Sequence, residues 1–430
     1  MTMMLPSSQK SPRQSQQQQQ QQVNLLHLAA AAIAATLAAA QPIREFSSHT
    51  SPTTGRTHGG TIATKSLEEQ TQQEQQQQGE QYAHEYDHEH EPQLKKTNAR
   101  WKDDGTIVTD ADYTAQGCIV RVLRKVEGEF VIIGEESAEE MEEHLSRNGD
   151  RQEMKDMDAV MTCAQVEVLN RYYGVQECPL AQRDMPDTLP EHKTTMINGE
   201  EVELLVDASR VRVFVDPLDG TKSYENGDYD AVTILIAIIL DGKPHFGVIT
   251  KPFGYKEHPS VLDTHCVTLY GGPLLNHVYI AGVREPCVKP PTSDINLPRA
   301  VISSSRSQGV VQNFVGHLAK TRQVHSEPLQ VSGAGEKSLR LIVGTEQEAL
   351  WFFPKAGTAR WDVAASDALL RAMGGRLTDK YGRDLDYLKS REEAENLDGI
   401  IASSDAALHE ECIRLFNDGG RDWELEEYVR

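Results

Sequence analysis

The apolar positions of this chain fall into short runs separated by polar turns. Phe130–Ile133, Val211–Val215 and Ala231–Leu240 are each short and apolar enough to be buried strands. From about residue 267 strands and helices alternate, and the expected elements are a strand at Ala300–Ile302, a helix at Val310–Thr321, a weak strand within Gly344–Phe353 and a helix at Asp362–Met373. This alternation predicts a layered α/β architecture, with one unit over residues 100–266 and a second over 267–430.

An Ala-rich apolar segment precedes these elements. Leu26, Ile33 and Leu37 recur at helical spacing, so residues 23–46 are predicted to form a first core helix. Because no acidic residue precedes Glu45, the segment also suits mitochondrial or plastid targeting, and this alternative stays open. The segment is short and Ala-rich for a membrane helix, which needs about 20 strongly apolar residues.

Low-complexity sequence lies on both sides of this segment. Residues 1–22 end in a Gln run and are expected to be a disordered tail. Residues 47–99 are rich in Gln, Glu and His and are expected to be an insertion without fixed structure. His84, His88 and His90 could bind a metal weakly, but their low-complexity surroundings make this a weak signal.

The strongest chemical signal is the run Asp-Pro-Leu-Asp-Gly-Thr at residues 216–221, which follows the Val211–Val215 strand. Asp216 and Asp219 are three residues apart on a turn, and the main-chain carbonyl of Leu218 lies between them. Mg²⁺ prefers such oxygen ligands, with phosphate completing its shell. The N–H groups of Gly220 and Thr221 would favour a phosphate oxygen if a helix begins there. A solvated loop or a helix cap is the alternative interpretation.

Three further acidic groups lie elsewhere in the chain. Glu135 and its neighbour Glu136 follow the Phe130–Ile133 strand, where burial would be costly without a cation or a donor. Asp362 opens the Asp362–Met373 helix and could also be a simple N-cap. Asp110 and Asp112 precede a segment with helical character.

Taken together and in this order, the Asp-Pro-Leu-Asp-Gly-Thr run and Trp-Asp-Val-Ala-Ala at 361–365 resemble the lithium-sensitive, Mg²⁺-dependent phosphatases of the inositol monophosphatase superfamily. The chain is most similar to the 3′(2′),5′-bisphosphate nucleotidases. Three segments carry that similarity: Thr221–Tyr224 with the two predicted strands that follow it and end at Pro252-Phe253, the segment Ser305-Arg306-Ser307, and the Gly-Ala-Gly-Glu-Lys turn that contains Gly335 and Lys337. The resemblance implies the layered αβαβα sandwich of the sugar phosphatases.

The resemblance also implies roles for individual residues. It predicts two or three Mg²⁺ ions, one held by Glu135, Asp216 and the Leu218 carbonyl, and a second held by Asp216, Asp219 and Asp362. Asp112 and Thr221 are the expected catalytic pair, which would take the proton of the attacking water. The expected substrate contacts are Gly220, Thr221, Ser305, Arg306, Ser307, Gly335 and Lys337, with Lys337 binding the phosphate that is not hydrolysed.

The implied reaction is hydrolysis of 3′-phosphoadenosine 5′-phosphate to AMP and phosphate. The alternatives are an inositol polyphosphate 1-phosphatase or inositol monophosphatase, and, from another class, a non-catalytic nucleotide-binding protein. Gln308 stands where the animal nucleotidases often have His, which puts that substrate contact in doubt.

The charge balance and the cysteine pattern limit which binding partners and which cellular compartment we expect. The 430 residues carry 65 acidic against 43 Lys and Arg side chains, a net charge of −22, which argues against a nucleic-acid polymer. We expect a small bisphosphate nucleotide as the partner and no membrane partner. The six cysteines form no Cys-x-x-Cys pair and are expected to be reduced thiols, so the cytoplasm is the expected compartment, with organelle targeting as the alternative.

Overall fold

The computed structural model describes residues 22–48, 99–102, 107–148, 157–173, 194–197, 200–255, 266–288, 297–344, 347–419 and 423. The expected Gln-rich tail and expected insertion lie outside the described residues except at their ends. His84, His88 and His90 lie outside them as well.

The described helices are α1 (Leu25–Ser48), α2 (Asp110–Leu123), α3 (Ala138–Asn148), α4 (Met157–Tyr173), α5 (Thr221–Glu225), α6 (Val310–Lys320), α7 (Ala334–Val343), α8 (Arg360–Ala372) and α9 (Ala406–Gly419). The described strands are β1 (Gln22–Asn24), β2 (Arg100–Trp101), β3 (Ile107–Val108), β4 (Val131–Gly134), β5 (Thr194–Ile197), β6 (Glu200–Glu203), β7 (Leu205–Asp207), β8 (Val211–Asp219), β9 (Thr233–Leu240), β10 (Lys243–Lys251), β11 (Val267–Gly272), β12 (His277–Ile280), β13 (Arg299–Ser303), β14 (Leu329–Val331), β15 (Glu348–Phe353), β16 (Arg376–Thr378) and β17 (Ile400–Ser403).

Two sheets organise the chain. The first has the order β12-β11-β10-β9-β8-β4 and is antiparallel except for the parallel pair β4 and β8. The second has the order β14-β13-β15-β17-β16, with parallel pairing of β13 to both β14 and β15. Because β4 and β8 run in the same direction, the residues that follow Gly134 and Val215 meet at one edge.

Both faces of the first sheet are covered, which explains its unbroken apolar runs. In β9 every residue is buried: Ile234 and Ile236 belong to one apolar cluster, while Leu235 and Ala237 belong to the other. One cluster includes α1, α2 and α4, and the other includes α7, α8 and the second sheet. With α6 and α9 on the far side of the second sheet, the layer order is αβαβα, so the predicted α/β sandwich is confirmed.

Helix α8 lies unusually close to the first sheet. A Cβ atom placed on Gly247 of β10 would stand 2.3 Å from the carbonyl oxygen of Ala365. Only glycine on the strand and small residues on the helix allow this approach. The packing fixes the start of α8, where Asp362 lies, against the sheet that carries Asp216.

Helix α1 occupies the position expected for a core helix. Leu26 and Ile33 are buried, and α1 packs against α2, α4 and the strands β9 and β10. By length and composition alone α1 could cross a membrane, but 78% of its most apolar window is buried inside the protein. The targeting role of this segment stays a prediction.

Two boundaries differ from the sequence expectation. Strands β11 and β12 belong to the first sheet, so the change between the sheets falls after Ile280 and not at residue 267. The expected Gly-Ala-Gly-Glu-Lys turn instead opens helix α7, because Leu339 and Ile342 bury its apolar side between the two sheets.

The packing of α1 yields a first prediction. Truncation of the chain to begin at Thr97 removes α1 and exposes the face of the first sheet that α1 covers. Loss of buried Leu26 and Ile33 alone costs about 1.5–3 kcal/mol each, so we expect a markedly lower midpoint of thermal unfolding or insoluble protein.

Internal deletion of residues 55–90 is the matched control, since it leaves every described contact of α1 in place, and it should be nearly neutral. If the Thr97 truncation is as soluble and stable as the full chain, α1 is not a core element. A 23–46 fusion that directs a reporter protein to an organelle would then favour the targeting alternative.

Candidate active site

Strand β8 carries the first acidic residues of the site at its end. Asp216 pairs with Leu235 of β9, and Asp219 pairs with Thr233. Three residue steps on β8 therefore lie opposite two residue steps on β9. This β-bulge re-aims the side chains at the strand end. Gly220 follows with φ +86°, a left-handed conformation that glycine adopts without strain, and α5 begins at Thr221.

Asp219 joins the first sheet to helix α7. Its carboxylate accepts hydrogen bonds from the N–H groups of Ala334 at 3.0 Å and Gly335 at 2.7 Å, and from the Thr233 hydroxyl at 2.8 Å. The N–H groups belong to the first turn of α7, where a negative charge is favourable. A Cβ on Gly335 would lie 2.1 Å from Thr233 Oγ1, so glycine is needed for this contact. Gly335 is therefore in the site through its backbone.

The carboxylates of Asp112 and Asp362 are oriented by the same kind of local hydrogen bond. Each is the third residue of its helix, and each accepts the N–H of the residue before the helix, Thr109 at 2.8 Å and Ala359 at 2.7 Å. In a capping box, the side chain of the third helical residue, commonly a glutamate, accepts this same N–H of the N-cap residue. Asp362 is thus not the N-cap residue considered from the sequence, which is Ala359. The capping bond orients each carboxylate toward the end of β8.

Thr221 connects this strand end to Asp112. Its hydroxyl lies 3.1 Å from Asp112 Oδ1 and 3.0 Å from the carbonyl oxygen of Leu218. A hydroxyl has one hydrogen, so it donates to one of these acceptors at a time. Asp112 also accepts the hydroxyl of Thr109 at 2.6 Å and is buried.

The two glutamates after β4 have different environments. Glu136 is buried and its backbone is held by Gln116, which accepts its N–H at 3.0 Å and donates to its carbonyl at 2.7 Å. Lys102 lies against both carboxylates, 3.1 Å from Glu135 and 2.7 Å from Glu136. One oxygen of Glu136, Oε2, is buried with no hydrogen-bond partner.

A basic residue from the second half of the chain fixes the backbone at Glu135. The guanidinium of Arg391 donates to the carbonyl oxygens of Gly134, at 3.1 Å, and of Glu135. It also lies 5.9 Å from the ring centroid of Trp361 at the start of α8. Arg391 therefore holds Glu135 and the start of α8 together.

The carboxylates raise one another's pKa values. Burial, followed by the charges of Glu135, Asp219 and Asp362, raises the pKa of Asp216 well above its usual range. Burial and the charge of Asp219 raise the pKa of Asp362 to about 7. Burial and the charge of Glu135 raise the pKa of Asp112 to about 7. These shifts show that negative charge is concentrated here beyond what the neighbouring donors stabilise.

The cluster has the chemistry of a site for hard cations. Its donors are carboxylate and carbonyl oxygens, and burying mutually repelling carboxylates is costly unless a cation compensates them. Among the described residues no three Asp, Glu, His or Cys side chains already form a closed coordination group. Asp219 is engaged by the start of α7, and Glu135 by Lys102. The buried, mutually repelling carboxylates offer the hard oxygen donors that Mg²⁺ prefers, so their chemistry fits Mg²⁺.

Lys337, an expected substrate residue, lies in α7 two residues after Gly335. Lys337 is buried, donates to the carbonyl of Gly333 at 2.7 Å, and lies 5.6 Å from the ring centroid of Trp351. Burial lowers the pKa of Lys337 to about 8, the charge of Asp219 opposes this shift, and that of Arg306 adds to it. Lys337 is thus within electrostatic range of both residues.

The Ser-Arg-Ser segment follows β13 and is mostly exposed. Arg306 lies over the ring of Phe353, 5.1 Å from its centroid. In the described part of the chain, neither Ser305 nor Ser307 has a hydrogen bond to the carboxylates. The structure therefore brings together every residue expected to bind metal or transfer a proton, and it leaves these two serines without a contact to them.

Sequence reasoning missed Gln116, Lys102 and Arg391. Gln116 could have been found, because it lies four residues after Asp112 on the same face of α2. Lys102 and Arg391 carry no local signal, since both lie in irregular polar segments and act through contacts that are distant in sequence.

Comparison with known proteins agrees with this geometry. The model of the inositol monophosphatase family matches residues 175–419, which is more than half of the chain. The 3′(2′),5′-bisphosphate nucleotidase 1 of Dictyostelium discoideum is 26% identical over 315 residues, covering 72% of this chain and 84% of that protein. The human protein of the same name is 32% identical over 194 residues, covering 44% and 56%.

A third relative is the Golgi-resident adenosine 3′,5′-bisphosphate 3′-phosphatase of Bos taurus, 28% identical over 56% of this chain and 59% of its own. The chain thus spans little more than half of the last two relatives. Among solved structures, CysQ from Bacteroides thetaiotaomicron, a bacterial member of the inositol monophosphatase family, is 17% identical with a TM-score of 0.45, covering 87% of this chain and 96% of that one. On the strength of the family match, this chain belongs to the inositol monophosphatase family.

Proposed function

We propose that this protein is a Mg²⁺-dependent 3′(2′),5′-bisphosphate nucleotidase that hydrolyses 3′-phosphoadenosine 5′-phosphate to AMP and phosphate. The observation that carries the proposal is the meeting of Asp216, Asp219, Asp362 and Glu135 beside the Thr221–Asp112 pair. The names of the relatives support the choice of a nucleotide substrate.

The acidic residues would hold the metal ions. Glu135, Asp216 and the Leu218 carbonyl provide oxygens for one ion, and Asp216, Asp219 and Asp362 for a second. When bound, such ions supply the positive charge that neutralises the oxygens of a dianionic phosphate ester. The structure itself positions the oxygens, through the β-bulge at Asp216 and the capping bond of Asp362.

The Thr221–Asp112 pair would remove the proton of the attacking water. Thr221 donates its hydrogen to Asp112, which leaves a lone pair on Oγ1 to accept the proton from water. Burial raises the pKa of Asp112 above its ordinary range, which favours the uptake of a proton by this carboxylate. The water oxygen bonds to phosphorus as the bond to the ribose 3′-oxygen breaks.

Lys337 is proposed to bind the phosphate that is hydrolysed. From the sequence we expected it to bind the other phosphate. Its ammonium group, however, lies at the Gly333 carbonyl, and Gly333 is next to the turn of α7 that binds Asp219. This location favours the reacting end of the substrate.

Inositol phosphates remain the alternative substrates, since the same residues would serve any phosphomonoester. Side-by-side phosphate release from 3′-phosphoadenosine 5′-phosphate and inositol 1,4-bisphosphate distinguishes the two. Preference for the inositol substrate would overturn the nucleotidase proposal. A small-molecule partner and a cytoplasmic location stay predictions.

The second prediction concerns Asp216, which is proposed to contact both ions. Asp216→Asn should lower kcat by roughly three orders of magnitude or more at ordinary Mg²⁺, because it removes the charge shared by the ions. In metal-free protein the midpoint of thermal unfolding should stay the same or rise, since a buried, repelled carboxylate becomes neutral.

Asp207→Asn is the matched control. Asp207 lies before the start of β8, at the other end of the strand from the site; it is exposed and caps a short turn through Ser209. It should retain full activity. If purified Asp216→Asn protein turns over substrate at close to the wild-type rate, the assignment of the metal site is wrong.

The third prediction concerns Lys337. Lys337→Met retains an unbranched apolar stem but loses the ammonium that lies over Trp351, and with it a charge-assisted contact worth roughly 1.5–3 kcal/mol. The kcat/KM for 3′-phosphoadenosine 5′-phosphate and for 3′-AMP should therefore fall by similar factors, as both carry the reacting phosphate. A loss confined to the bisphosphate would show instead that Lys337 binds the remote phosphate.

A further inference from the structure

A buried lysine connects strand β10 to two segments that lie beside the carboxylates of the site. Lys251 is the last residue of β10, and its side chain is 2% exposed. The ammonium group donates to Glu336 Oε2 at 2.6 Å and to the carbonyl oxygen of Asp230. Glu336 lies in the first turn of α7, and Asp230 lies in the short 3₁₀ turn Tyr229–Ala231. Lys251 therefore joins β10, this 3₁₀ turn and α7, which are distant in sequence.

Both carboxylate oxygens of Glu336 have a basic partner. Oε1 accepts the Nε hydrogen of Arg340 at 2.9 Å, and Oε2 accepts from Lys251. The side chain of Glu336 is 5% exposed, so these bonds hold the carboxylate in one orientation inside the protein. A buried ion pair adds little net stability compared with apolar side chains of similar volume, because both charges lose their hydration. The pair does, however, fix the position of the helix turn that carries Glu336.

The helix turn that Lys251 fixes is the one that binds Asp219. Glu336 directly follows Ala334 and Gly335 in α7. These two residues donate their N–H groups to the carboxylate of Asp219 at 3.0 and 2.7 Å. A shift of the turn by about 1 Å would break hydrogen bonds of this length. The orientation of Asp219 therefore depends on where Glu336 is held.

The second bond of Lys251 acts on a turn packed between the end of β8 and the start of α7. The carbonyl oxygen of Ala231 in this 3₁₀ turn would lie 3.0 Å from a Cβ on Gly220 and 2.5 Å from a Cβ on Gly333. Gly220 follows the last residue of β8, and Gly333 directly precedes α7. The bond from Lys251 to the carbonyl of Asp230 holds the turn in this place, so both bonds of the lysine fix the surroundings of one carboxylate.

We infer that Lys251, acting through Glu336, is a positioning residue for the metal ion that Asp219 is proposed to hold. Lys251 has no role as a ligand or in the chemical step. It fixes the first turn of α7, and the N–H groups of that turn orient the carboxylate of Asp219. The inference rests on the proposed metal-dependent function, and it means that breaking the buried pair weakens Mg²⁺ binding even where the fold is intact.

The test is a calorimetric titration of metal-free, full-length protein with MgCl₂. Lys251→Met keeps an unbranched side chain of similar length but removes the ammonium group. One of the bound Mg²⁺ ions should then bind about tenfold less tightly, which is the lower end of the loss that follows removal of an outer-shell partner. The Mg²⁺ concentration that gives half-maximal phosphate release should rise by the same factor.

The double variant Lys251→Met/Glu336→Gln separates positioning from stability. Lys251→Met alone leaves the buried carboxylate of Glu336 with one basic partner instead of two, whereas the double variant also removes the carboxylate charge. The midpoint of thermal unfolding should therefore recover toward the wild-type value. The Mg²⁺ affinity should stay as low as in Lys251→Met, because both changes act on one contact and their effects do not add.

Arg171→Met is the matched control. Arg171 of α4 also bonds a glutamate, Glu167, and a backbone carbonyl, that of Val283, each at 2.9 Å. These contacts join α4 to the segment after β12, which lies at the opposite edge of the first sheet from β8 and β4. The replacement should lower the midpoint of thermal unfolding and leave the Mg²⁺ affinity unchanged. Unchanged affinity in Lys251→Met, restored affinity in the double variant, or an equal loss of affinity in Arg171→Met would overturn the inference.

The binding measurement also separates this inference from the proposed function. If the wild-type protein binds Mg²⁺ but releases phosphate from neither 3′-phosphoadenosine 5′-phosphate nor inositol 1,4-bisphosphate, the proposed function fails, and the calorimetry still decides the role of Lys251. If the wild-type protein hydrolyses the nucleotide and Lys251→Met binds Mg²⁺ as tightly as the wild type, the inference alone fails. A wild-type protein that binds no Mg²⁺ would overturn both.

Discussion

The arrangement of this protein depends on keeping several carboxylates close together in a buried place. Asp216 and Asp219 lie at the end of β8 and Asp362 lies at the start of α8. Only the fold brings these two segments together, and the mutual repulsion of the carboxylates opposes that fold. Local hydrogen bonds to the carboxylates offset this repulsion. Asp219 is held by the N–H groups at the start of α7, and Asp362 by the N–H of Ala359. The residual charge is what a divalent cation would neutralise.

Close packing supplies the rigidity that this arrangement needs. The contact of Gly247 with Ala365 sets how closely α8 packs on the first sheet, and Gly335 allows α7 to approach Thr233. Arg391 then ties the backbone at Glu135 to the start of α8. A displacement of α8 would move Asp362 away from β8, and a displacement of α7 would remove the N–H donors of Asp219. The small residues therefore serve the site as well as the core.

The sequence predicted the parts of this structure that are encoded locally. The strands that lead to Glu135 and Asp216 are short apolar runs, and the helices of Asp112 and Asp362 begin with recognisable polar signals. Helix α7 was missed because its first residues, Gly333 to Gly335, have a turn-like composition, and its apolar side is visible only as a partner of the two sheets. Contacts between distant segments, such as Lys102 with Glu136, have no signature in a single sequence.

The central claim is that the carboxylate cluster binds Mg²⁺, and a calorimetric titration of metal-free protein with MgCl₂ tests it most directly. The account predicts at least two ions per wild-type chain and a marked loss of affinity in Asp216→Asn. A wild-type protein that binds no Mg²⁺, or an Asp216→Asn variant that binds it with unchanged affinity and stoichiometry, would contradict the account.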